Sequence, residues 1–165
     1  MRRFDSAAAD LVPGMRVRVR IARHEPWGVF VTILENPDVA ASVDAAVIDS
    51  PSGSPRALPG EYPAVGTEAD AVVQTVRRWF PPVLVRLTLR SADLREFRWG
   101  CDLCGTPTVL SPGGDGIVLD ARSADGPGGT ALVAHRSCVI ERLHRDSLEG
   151  ARIRLLGRKT RTAPD

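Results

Sequence analysis

Cys101-Asp-Leu-Cys104-Gly105 and His135-Arg-Ser-Cys138 are the two stretches that decide the fold of the second half of this 165-residue chain. They contain all three cysteines of the sequence and one of its three histidines. Two residues between paired ligands let one turn direct both side chains at the same ion, and three cysteines with one histidine form a closed structural zinc set. The spacing therefore predicts a structural Zn²⁺ bound by Cys101, Cys104, His135 and Cys138.

Other interpretations of these side chains are open at this point. A Cys-x2-Cys pair by itself can be a redox dithiol, but the matching His-x2-Cys pair further along the chain disfavours this role. Three unligated thiols beside a surface histidine are the plainest alternative. His144 is a weaker substitute for His135, because it lies more than two helical turns further along and is expected to face solvent.

Regular elements are predicted on both sides of the second ligand pair. Residues 117–121 and 130–134 have the composition of strands, and a Gly- and Pro-rich turn joins them. After His135, the side chains of Val139, Ile140 and Leu143 fall on one face of a helix. His135 and Cys138 are thus expected at a helix N-terminus, where the dipole favours a thiolate.

This order of elements, a knuckle, a hairpin and a helix that supplies the last two ligands, resembles a treble-clef zinc finger. The resemblance rests mainly on the four ligands, and the module is expected to span residues 97–157. Residues 91–98 are predicted to connect it to the preceding part of the chain through a short helix, and Trp99 to pack at the junction. A final strand is predicted at 151–156, followed by a basic tail.

The composition is typical of a soluble globular protein. Hydrophobic residues make up 43% and charged residues 25% of the chain, which is ordinary for a soluble globular protein. No run of eighteen apolar residues predicts a membrane span, and residues 1–10 do not resemble a signal peptide. An odd number of cysteines with metal-like spacing favours a reducing compartment, so a cytoplasmic location is expected.

Charge gives a weaker indication of a partner. The net charge of +2 is too small for a strongly basic, autonomous DNA-binding module. Arginines are nevertheless concentrated locally, with Arg16, Arg18 and Arg20 alternating along one segment. Arginine suits bidentate phosphate contacts, although a general bias of the sequence towards arginine explains these positions equally well.

The first half of the chain predicts a mainly β fold. Apolar and polar residues alternate from Gly14 onward and again in 83–89, and β-branched and aromatic residues dominate 27–34. Gly28 within the second strand indicates a bend, as a small barrel requires. Residues 35–42 and 49–66 are predicted as loops. Five strands are expected. The first begins near Gly14, and the other four cover 27–34, 45–48, 69–76 and 83–89.

Five strands in about eighty residues fit a small barrel of the OB type. We expect an antiparallel barrel over residues 11–92. Its interior should be filled by the apolar members of the alternating patterns, namely Val17, Val19, Val29, Val31, Val85, Leu87 and Leu89.

Four sequence pieces in this region resemble an S1 RNA-binding domain. They are Val-Pro-Gly-Met-Arg-Val, Pro-Trp-Gly-Val-Phe-Val, Val-Gly-Thr-Glu-Ala-Asp-Ala-Val-Val and the closing Arg-Leu-Thr-Leu-Arg90. Their order and spacing carry the resemblance. It implies binding of single-stranded RNA by bases stacked on second-strand aromatics beside basic groups.

The resemblance implies particular site residues. Trp27 and Phe30 hold the two aromatic positions, and Arg86 and Arg90 are candidate basic partners. Ile48 is expected where the family often has histidine, and Leu84 where it has a basic residue, so part of the binding face is predicted to be apolar. Packing of Trp27 and Phe30 into the core or against the zinc module is the competing interpretation.

No catalytic constellation is evident in the sequence. A catalytic zinc needs an open coordination position, whereas this set has four protein ligands. His24 and Glu25 adjoin, but no third group completes a site. The sequence therefore predicts a noncatalytic protein that binds single-stranded RNA or a ribonucleoprotein. The alternative is a scaffold module whose barrel has lost RNA binding and contacts a protein partner.

Overall fold

A computed structural model describes residues 10–77, 83–122, 124 and 129–143. Within them, five strands form a closed barrel: β1 (Arg16–Glu25), β2 (Gly28–Ile33), β3 (Asn36–Asp44), β4 (Glu68–Arg77) and β5 (Leu84–Thr88). Their order around the barrel is β1-β2-β3-β5-β4. The predicted five-stranded barrel is therefore confirmed, and the fold is mainly β as expected.

Alternation along the strands produces the barrel core. The outward residues of the first half of β1 are the arginines, while Val17, Val19 and Ile21 are buried. Every residue predicted to point inward is buried in one apolar cluster, and this cluster also contains Leu11, Ile33, Val43, Val73 and Tyr62. The period-two pattern was thus sufficient to identify the interior face of three strands, β1, β2 and β5.

The prediction of a wholly antiparallel barrel is wrong. β3 and β5 run parallel, with Ala41 beside Val85 and Val43 beside Leu87, whereas the other four neighbouring pairs are antiparallel. A closed ring with an odd number of strands cannot alternate direction at every step. One parallel pair is therefore required, and it occurs between the two strands that the chain connects through β4.

The predicted third strand was also misplaced. β3 occupies Asn36–Asp44, which was expected to be mostly loop, and Ala45–Val47 is a single 3₁₀ turn. Asp44 caps this turn by accepting a hydrogen bond from the backbone N–H of Ala46 at 2.9 Å. Ile48 follows the turn and is buried in the barrel core, so it provides no apolar surface on the binding face.

In the described part of the chain, six short elements follow the barrel. They are α1 (Ser91–Arg95), β6 (Arg98–Gly100), β7 (Pro107–Val109), β8 (Gly116–Arg122), β9 (Gly129–His135) and α2 (Arg136–Arg142). β6 pairs with β7 and β8 with β9, both antiparallel. The predicted connecting helix, hairpin and ligand-bearing helix are confirmed. Of the predicted apolar face of α2, only Val139 is buried, while Ile140 and Leu143 are exposed.

Several predictions concern residues that the structure does not describe. These are most of the Gly- and Pro-rich turn between 117–121 and 130–134, the substitute ligand His144, the final strand at 151–156 and the basic tail. Among the described residues, no helix has the length and apolar character needed to cross a membrane.

The barrel and the following module meet closely at Gly14. Its φ is +83°, and a Cβ there would lie 2.6 Å from the Cβ of Leu110. Leu110 is in turn tied to the connector by a hydrogen bond from its N–H to the carbonyl of Phe97, 2.9 Å long. The guanidinium of Arg16 donates to the carbonyl of Leu94 across the same junction. A side chain at residue 14 would therefore separate the two parts.

Candidate metal centre and nucleic-acid interface

The structure brings the four predicted ligands together. One donor atom from each of Cys101, Cys104, His135 and Cys138 lies within 4.8 Å of all the others. The Nδ1 atom of His135 is 3.4 Å from the Cys104 sulfur and 3.7 Å from the Cys138 sulfur. Tetrahedral zinc with ordinary bond lengths places nitrogen and sulfur ligands about 3.5 Å apart. The cluster therefore has the dimensions of a zinc site and could hold a metal ion.

His135 is oriented by its second ring nitrogen. Its Nε2–H donates to the carbonyl oxygen of Pro107 at 3.1 Å, and a carboxylate oxygen of Asp115 lies 3.7 Å from the same nitrogen. This leaves the Nδ1 lone pair directed at the thiols. Outer partners of this type fix the tautomer and the ring orientation of metal-bound histidines. Asp115 lies in the turn before β8, and no local sequence pattern identifies it as a partner of His135.

Asp115 is itself held in place. Its Oδ1 accepts hydrogen bonds from the hydroxyl of Thr108 at 3.0 Å and from the N–H of Val109 at 3.2 Å. The hydrogen bonds from Val109 and Thr108, with a contribution from His135, lower the pKa of this carboxyl. Asp115 is therefore a negative charge beside His135, and its hydrogen bonds to Thr108 and Val109 attach it to β7.

The first ligand pair sits on a tight knuckle. Gly105 has a φ of +78°, and its N–H donates to the carbonyl of Cys101 at 2.8 Å. Asp102 attaches this knuckle to β9, because its N–H donates to the carbonyl of Val133 at 2.7 Å and its carboxylate accepts the Val133 N–H at 2.7 Å. The two ligand pairs are thus connected by hydrogen bonds between their own segments.

Arg142 makes a further connection between these segments. Its guanidinium donates to the carbonyl of Cys138 at 3.1 Å and to the carbonyl of Leu103 at 3.4 Å. In the structure it joins the end of α2 to the knuckle.

The three thiols differ in acidity. Burial raises the pKa of Cys101, but backbone hydrogen bonds from His135, Leu103 and Cys104 outweigh it and lower the pKa to about 6. Burial, together with the neighbouring Cys104 and Cys101, raises the pKa of Cys138 to about 11. The expected thiolate-favouring effect of the helix N-terminus at Cys138 is therefore outweighed. A bound cation would displace the remaining protons, since metal binding requires deprotonated thiols.

A second candidate site lies on the outer face of the barrel. Strand register places Arg23 beside Phe30, Phe30 beside Ser42, Ser42 beside Arg86, and Arg86 beside Thr75. These five residues form one row that crosses all five strands, and we call it the outer row. Adjacent strands are about 4.8 Å apart, so Phe30 and Arg86 are separated by roughly 10 Å.

Phe30 is the centre of an aromatic and cationic group. The guanidinium carbon of Arg23 lies 4.1 Å from the Phe30 ring centroid, a distance at which a cation is attracted by the ring. Trp27 meets Phe30 edge to face, with centroids 5.2 Å apart and planes at 82°. The Trp27 side chain is 39% exposed and Phe30 is half-buried. Neither aromatic side chain lies in the core.

Arg23 was missed because a bulge interrupts the alternation of β1. Val17, Val19 and Ile21 point inward, so strict alternation would place residue 23 inside the barrel as well. The register shifts between Ile21 and Arg23 and brings the arginine to the outer face. Bulges of this kind redirect side chains and are not visible in a period-two pattern. Arg23 also forms an ion pair with Glu25 at 2.8 Å.

The predicted composition of the binding face needs correction. Ile48 is buried, and the third-strand residue opposite Phe30 is the polar Ser42. The fifth-strand residue in the outer row is Arg86, which is exposed, whereas Leu84 lies two residues before it at the strand end. Ile48 therefore adds no apolar surface to this face. Ser42 is itself buried, and the half-buried Leu84 lines the same surface as the exposed Arg86.

Arg90 lies outside the outer row. It follows β5 and is the N-cap residue of α1. There it faces Asp49, whose pKa is lowered chiefly by a hydrogen bond from the Ser91 side chain and further by the positive charge of Arg90. The structure thus brings Trp27, Phe30 and Arg86 to one face of the barrel and places Arg90 at its end.

The alternating arginines of β1 are compensated by acidic residues of β4. Arg20 forms an ion pair with Glu68 at 2.5 Å, and Arg18 forms one with Asp70 at 3.4 Å. The strands that carry these residues are neighbours, with Arg18 opposite Asp70 and Arg20 opposite Glu68. The cluster of positive charge in the sequence is therefore largely neutral on the folded surface.

Comparison with known proteins gives matches only among solved structures. No family model matches the chain, and no curated protein matches it. One structural match is to the crystal structure of the a/eIF2alpha–aDim2p–rRNA complex from Pyrococcus horikoshii OT3, with 20% identity and a TM-score of 0.39. A second match is GSP13 from Bacillus subtilis, with 16% identity and a TM-score of 0.41. A third is the alpha subunit of aIF2 from Pyrococcus abyssi, with 22% identity and a TM-score of 0.39.

Each of these matches covers 51% of the present chain. The aligned part spans 51% of the matched chain in the rRNA complex, 59% of GSP13 and 33% of the aIF2 subunit. The likeness therefore extends over about half of this chain and a third to three fifths of the others.

Proposed function

We propose that this protein is a noncatalytic, cytoplasmic binding protein that takes up single-stranded RNA, free or in a ribonucleoprotein. In this proposal, residues 11–92 form the RNA-binding barrel. Residues 97–157 form a module stabilised by Zn²⁺ on Cys101, Cys104, His135 and Cys138. The barrel supplies recognition and the metal supplies rigidity.

The outer row is the observation that carries the RNA-binding proposal. Proteins that bind single strands combine aromatic rings, on which bases stack, with cations that contact the backbone. Phe30 and Trp27 provide the rings, and Arg23 and Arg86 lie on either side of Phe30 in the row. All four residues come from strands of the barrel or from the turn between β1 and β2, so the barrel fixes their spacing before any ligand binds.

The zinc assignment follows from the chemistry of the donor set. Soft thiolates with one imidazole select Zn²⁺ over the hard cations that prefer oxygen ligands. Four protein donors fill a tetrahedral shell and leave no position for substrate, which is typical of structural sites. Because such a site stabilises a fold without activating a ligand, it agrees with a binding protein.

Fluorescence anisotropy with a labelled single-stranded RNA tests the RNA-binding proposal. Base stacking on an aromatic contributes about 1–3 kcal/mol, so Trp27→Ala and Phe30→Ala should each weaken binding roughly ten- to a hundredfold. Affinity should also fall steeply as salt is raised, because phosphate contacts release counterions. Val65→Ala is the matched control, since Val65 is an exposed apolar residue on the loop before β4.

One surface favours the alternative of a protein-interaction module. Beside Trp27, a groove of about 490 Å³ is lined mainly by apolar residues of the loop after β3, including Pro55, Leu58 and Tyr62. Such a surface also suits a protein partner. Equal and negligible RNA affinity of the parent and Trp27→Ala proteins at low salt, with both folded, would refute the RNA proposal and favour this alternative.

A further inference from the structure

A second concave surface lies between the barrel and the following module. The cleft has a volume of about 450 Å³. One wall is the outer face of β4 and β5, and the other is formed by β6 and β9. The residues that line it include Thr75, Arg77 and Arg86 on the barrel wall and Trp99, Thr130 and Val133 on the opposite wall.

The lining of this cleft has the chemistry of an anion-binding surface with an aromatic platform. Arg77 and Arg86 are both exposed and belong to the barrel wall. No acidic residue is among the described residues that line the cleft. Two carboxylates lie behind the cleft wall: Asp120 is opposite Ala131 on the neighbouring strand, and the carboxylate of Asp102 accepts the N–H of Val133. Two guanidinium groups on one wall favour a ligand with more than one phosphate.

Trp99 gives the opposite wall a fixed ring. One side of the indole stacks on Phe97, with centroids 5.7 Å apart and planes at 24°. Its backbone pairs with Thr108 of β7, and the side chain is half-buried. A ring that is already supported on one side loses little conformational freedom when a base stacks on the other.

The cleft is continuous with the outer row. Arg86 and Thr75 belong to both, and Ser42 connects Arg86 to Phe30 across two strand pairings. A strand that stacks on Phe30 and follows the outer row past Arg86 therefore enters the cleft directly. OB folds bind about 4–16 nucleotides each, so a path longer than one or two bases is within the ordinary range.

We propose that the cleft is a second nucleotide subsite, in which single-stranded RNA that leaves Phe30 contacts Arg86 and Arg77 and stacks a base on Trp99. This inference rests on the proposed RNA-binding function. It makes the junction of the two modules part of the binding surface, so that the module bearing the metal ligands contributes to recognition.

Oligonucleotides of two lengths separate the cleft from the barrel face. A labelled RNA of about four nucleotides should occupy the aromatic group at Phe30, whereas one of about twelve should also reach the cleft. Trp99→Leu and Arg77→Gln should weaken binding of the longer RNA roughly tenfold and leave the shorter RNA unchanged. Phe30→Ala should weaken both. Equal affinity of Trp99→Leu, Arg77→Gln and parent proteins for the longer RNA would overturn the proposal.

Arg20→Gln is the matched control for loss of one positive charge. Arg20 lies opposite Glu68 at the start of β4, whereas Arg77 is at the end of the same strand, up to about 30 Å away. The affinity of the Arg20→Gln protein for both RNAs should stay within about twofold of the parent value. Failure of the parent protein to bind either RNA would instead refute the proposed function itself.

Photo-crosslinking gives a result that does not depend on the stability of a variant. A twelve-nucleotide RNA containing bromouridine, irradiated with the parent protein, should form an adduct on the peptide that contains Trp99, detected by mass spectrometry. Adducts confined to the peptide that contains Trp27 and Phe30 would contradict the proposed path.

Discussion

The carbonyl oxygen of Val43 lies 2.1 Å from the place where a Cβ on Gly28 would be. Gly28 has a φ of +153°, a conformation that side chains rarely adopt, and it starts β2 beside Asp44 of β3. The close approach of these two backbones allows β2 and β3 to pair as the chain leaves the turn at Trp27. The bend that the sequence indicated at this glycine is thus a steric requirement of the barrel.

Gly28→Ala should destabilise the barrel by at least about 3 kcal/mol, because it adds overpacking to backbone strain. Thermal unfolding followed by circular dichroism measures the effect. Gly60→Ala is the control, since Gly60 has no atom within 4 Å of the added Cβ, and it should change stability by less than about 0.5 kcal/mol. Equal melting temperatures of the two variants would contradict this account of Gly28.

Cys104→Ser should remove the proposed zinc and unfold the C-terminal module before the barrel. Structural zinc supplies on the order of 10 kcal/mol of folding free energy in small fingers. Metal analysis should find one zinc per parent chain and none in the variant, and thermal unfolding should divide into two transitions. Ser137→Ala, an exposed change between two ligands on the same segment, should retain the metal. A parent protein without zinc would exclude the assignment.

Asp115→Ala should weaken zinc binding roughly 10–100-fold, as loss of outer partners does at other metal sites. The variant removes the carboxylate near His135 and the acceptor for Thr108 and Val109. Competition with a chromophoric chelator measures the affinity. Asp38→Ala removes an exposed carboxylate from β3 of the barrel and should leave zinc affinity unchanged. An equal loss in both variants would indicate a general charge effect.

Glu61 should make the loop before β4 sensitive to acid. Hydrogen bonds from the Leu58 N–H, and from Ser52 and Ser50, lower the pKa of its carboxyl from 4.5 to about 2. Since the folded state has the lower pKa, the stabilisation is fully present above pH 4.5 and is lost as the pH falls towards 2. Glu61→Gln should therefore lower the melting temperature at pH 7, and the difference from the parent should disappear near pH 2.

Glu35→Gln is the comparison for this effect, because Glu35 is an exposed carboxylate on the turn between β2 and β3. Its melting temperature should follow that of the parent over the same pH range. A gap between parent and Glu61→Gln that stays constant from pH 7 to pH 2 would show that ionisation of Glu61 does not contribute.

The grouping of the four candidate ligands could be predicted because residue type and local spacing carry most of the information. Two residues between Cys101 and Cys104 fix their relation within one turn, and the same holds for His135 and Cys138. Asp115 could not be predicted in the same way. Its position beside the His135 ring depends on the pairing of β8 with β9 and on the hydrogen bonds to β7, and no local pattern encodes these.

β3 shows why one strand of the barrel was missed. Asn36-Pro37-Asp38 has the residue types of a turn, and Ala40 and Ala41 have little intrinsic preference for a strand. The segment is extended because β2 on one side and β5 on the other supply its hydrogen-bond partners. Alternation of apolar residues correctly predicted the strands that have large β-branched side chains. It failed to predict β3, where pairing with neighbouring strands determines the conformation.

Two hydrogen bonds join Asp102 to Val133. Asp102 lies in the knuckle between the candidate ligands Cys101 and Cys104, and Val133 lines the cleft, so these bonds connect the candidate metal site to a wall of the cleft. Removal of the proposed zinc should therefore alter the cleft in which we propose that RNA binds. Thermodynamic reciprocity makes this dependence mutual. Whatever factor zinc contributes to the affinity for a long RNA, bound RNA contributes to the retention of zinc. A protein engaged with RNA should thus hold the proposed zinc with a higher affinity than the free protein does, as measured by equilibrium competition with a chelator.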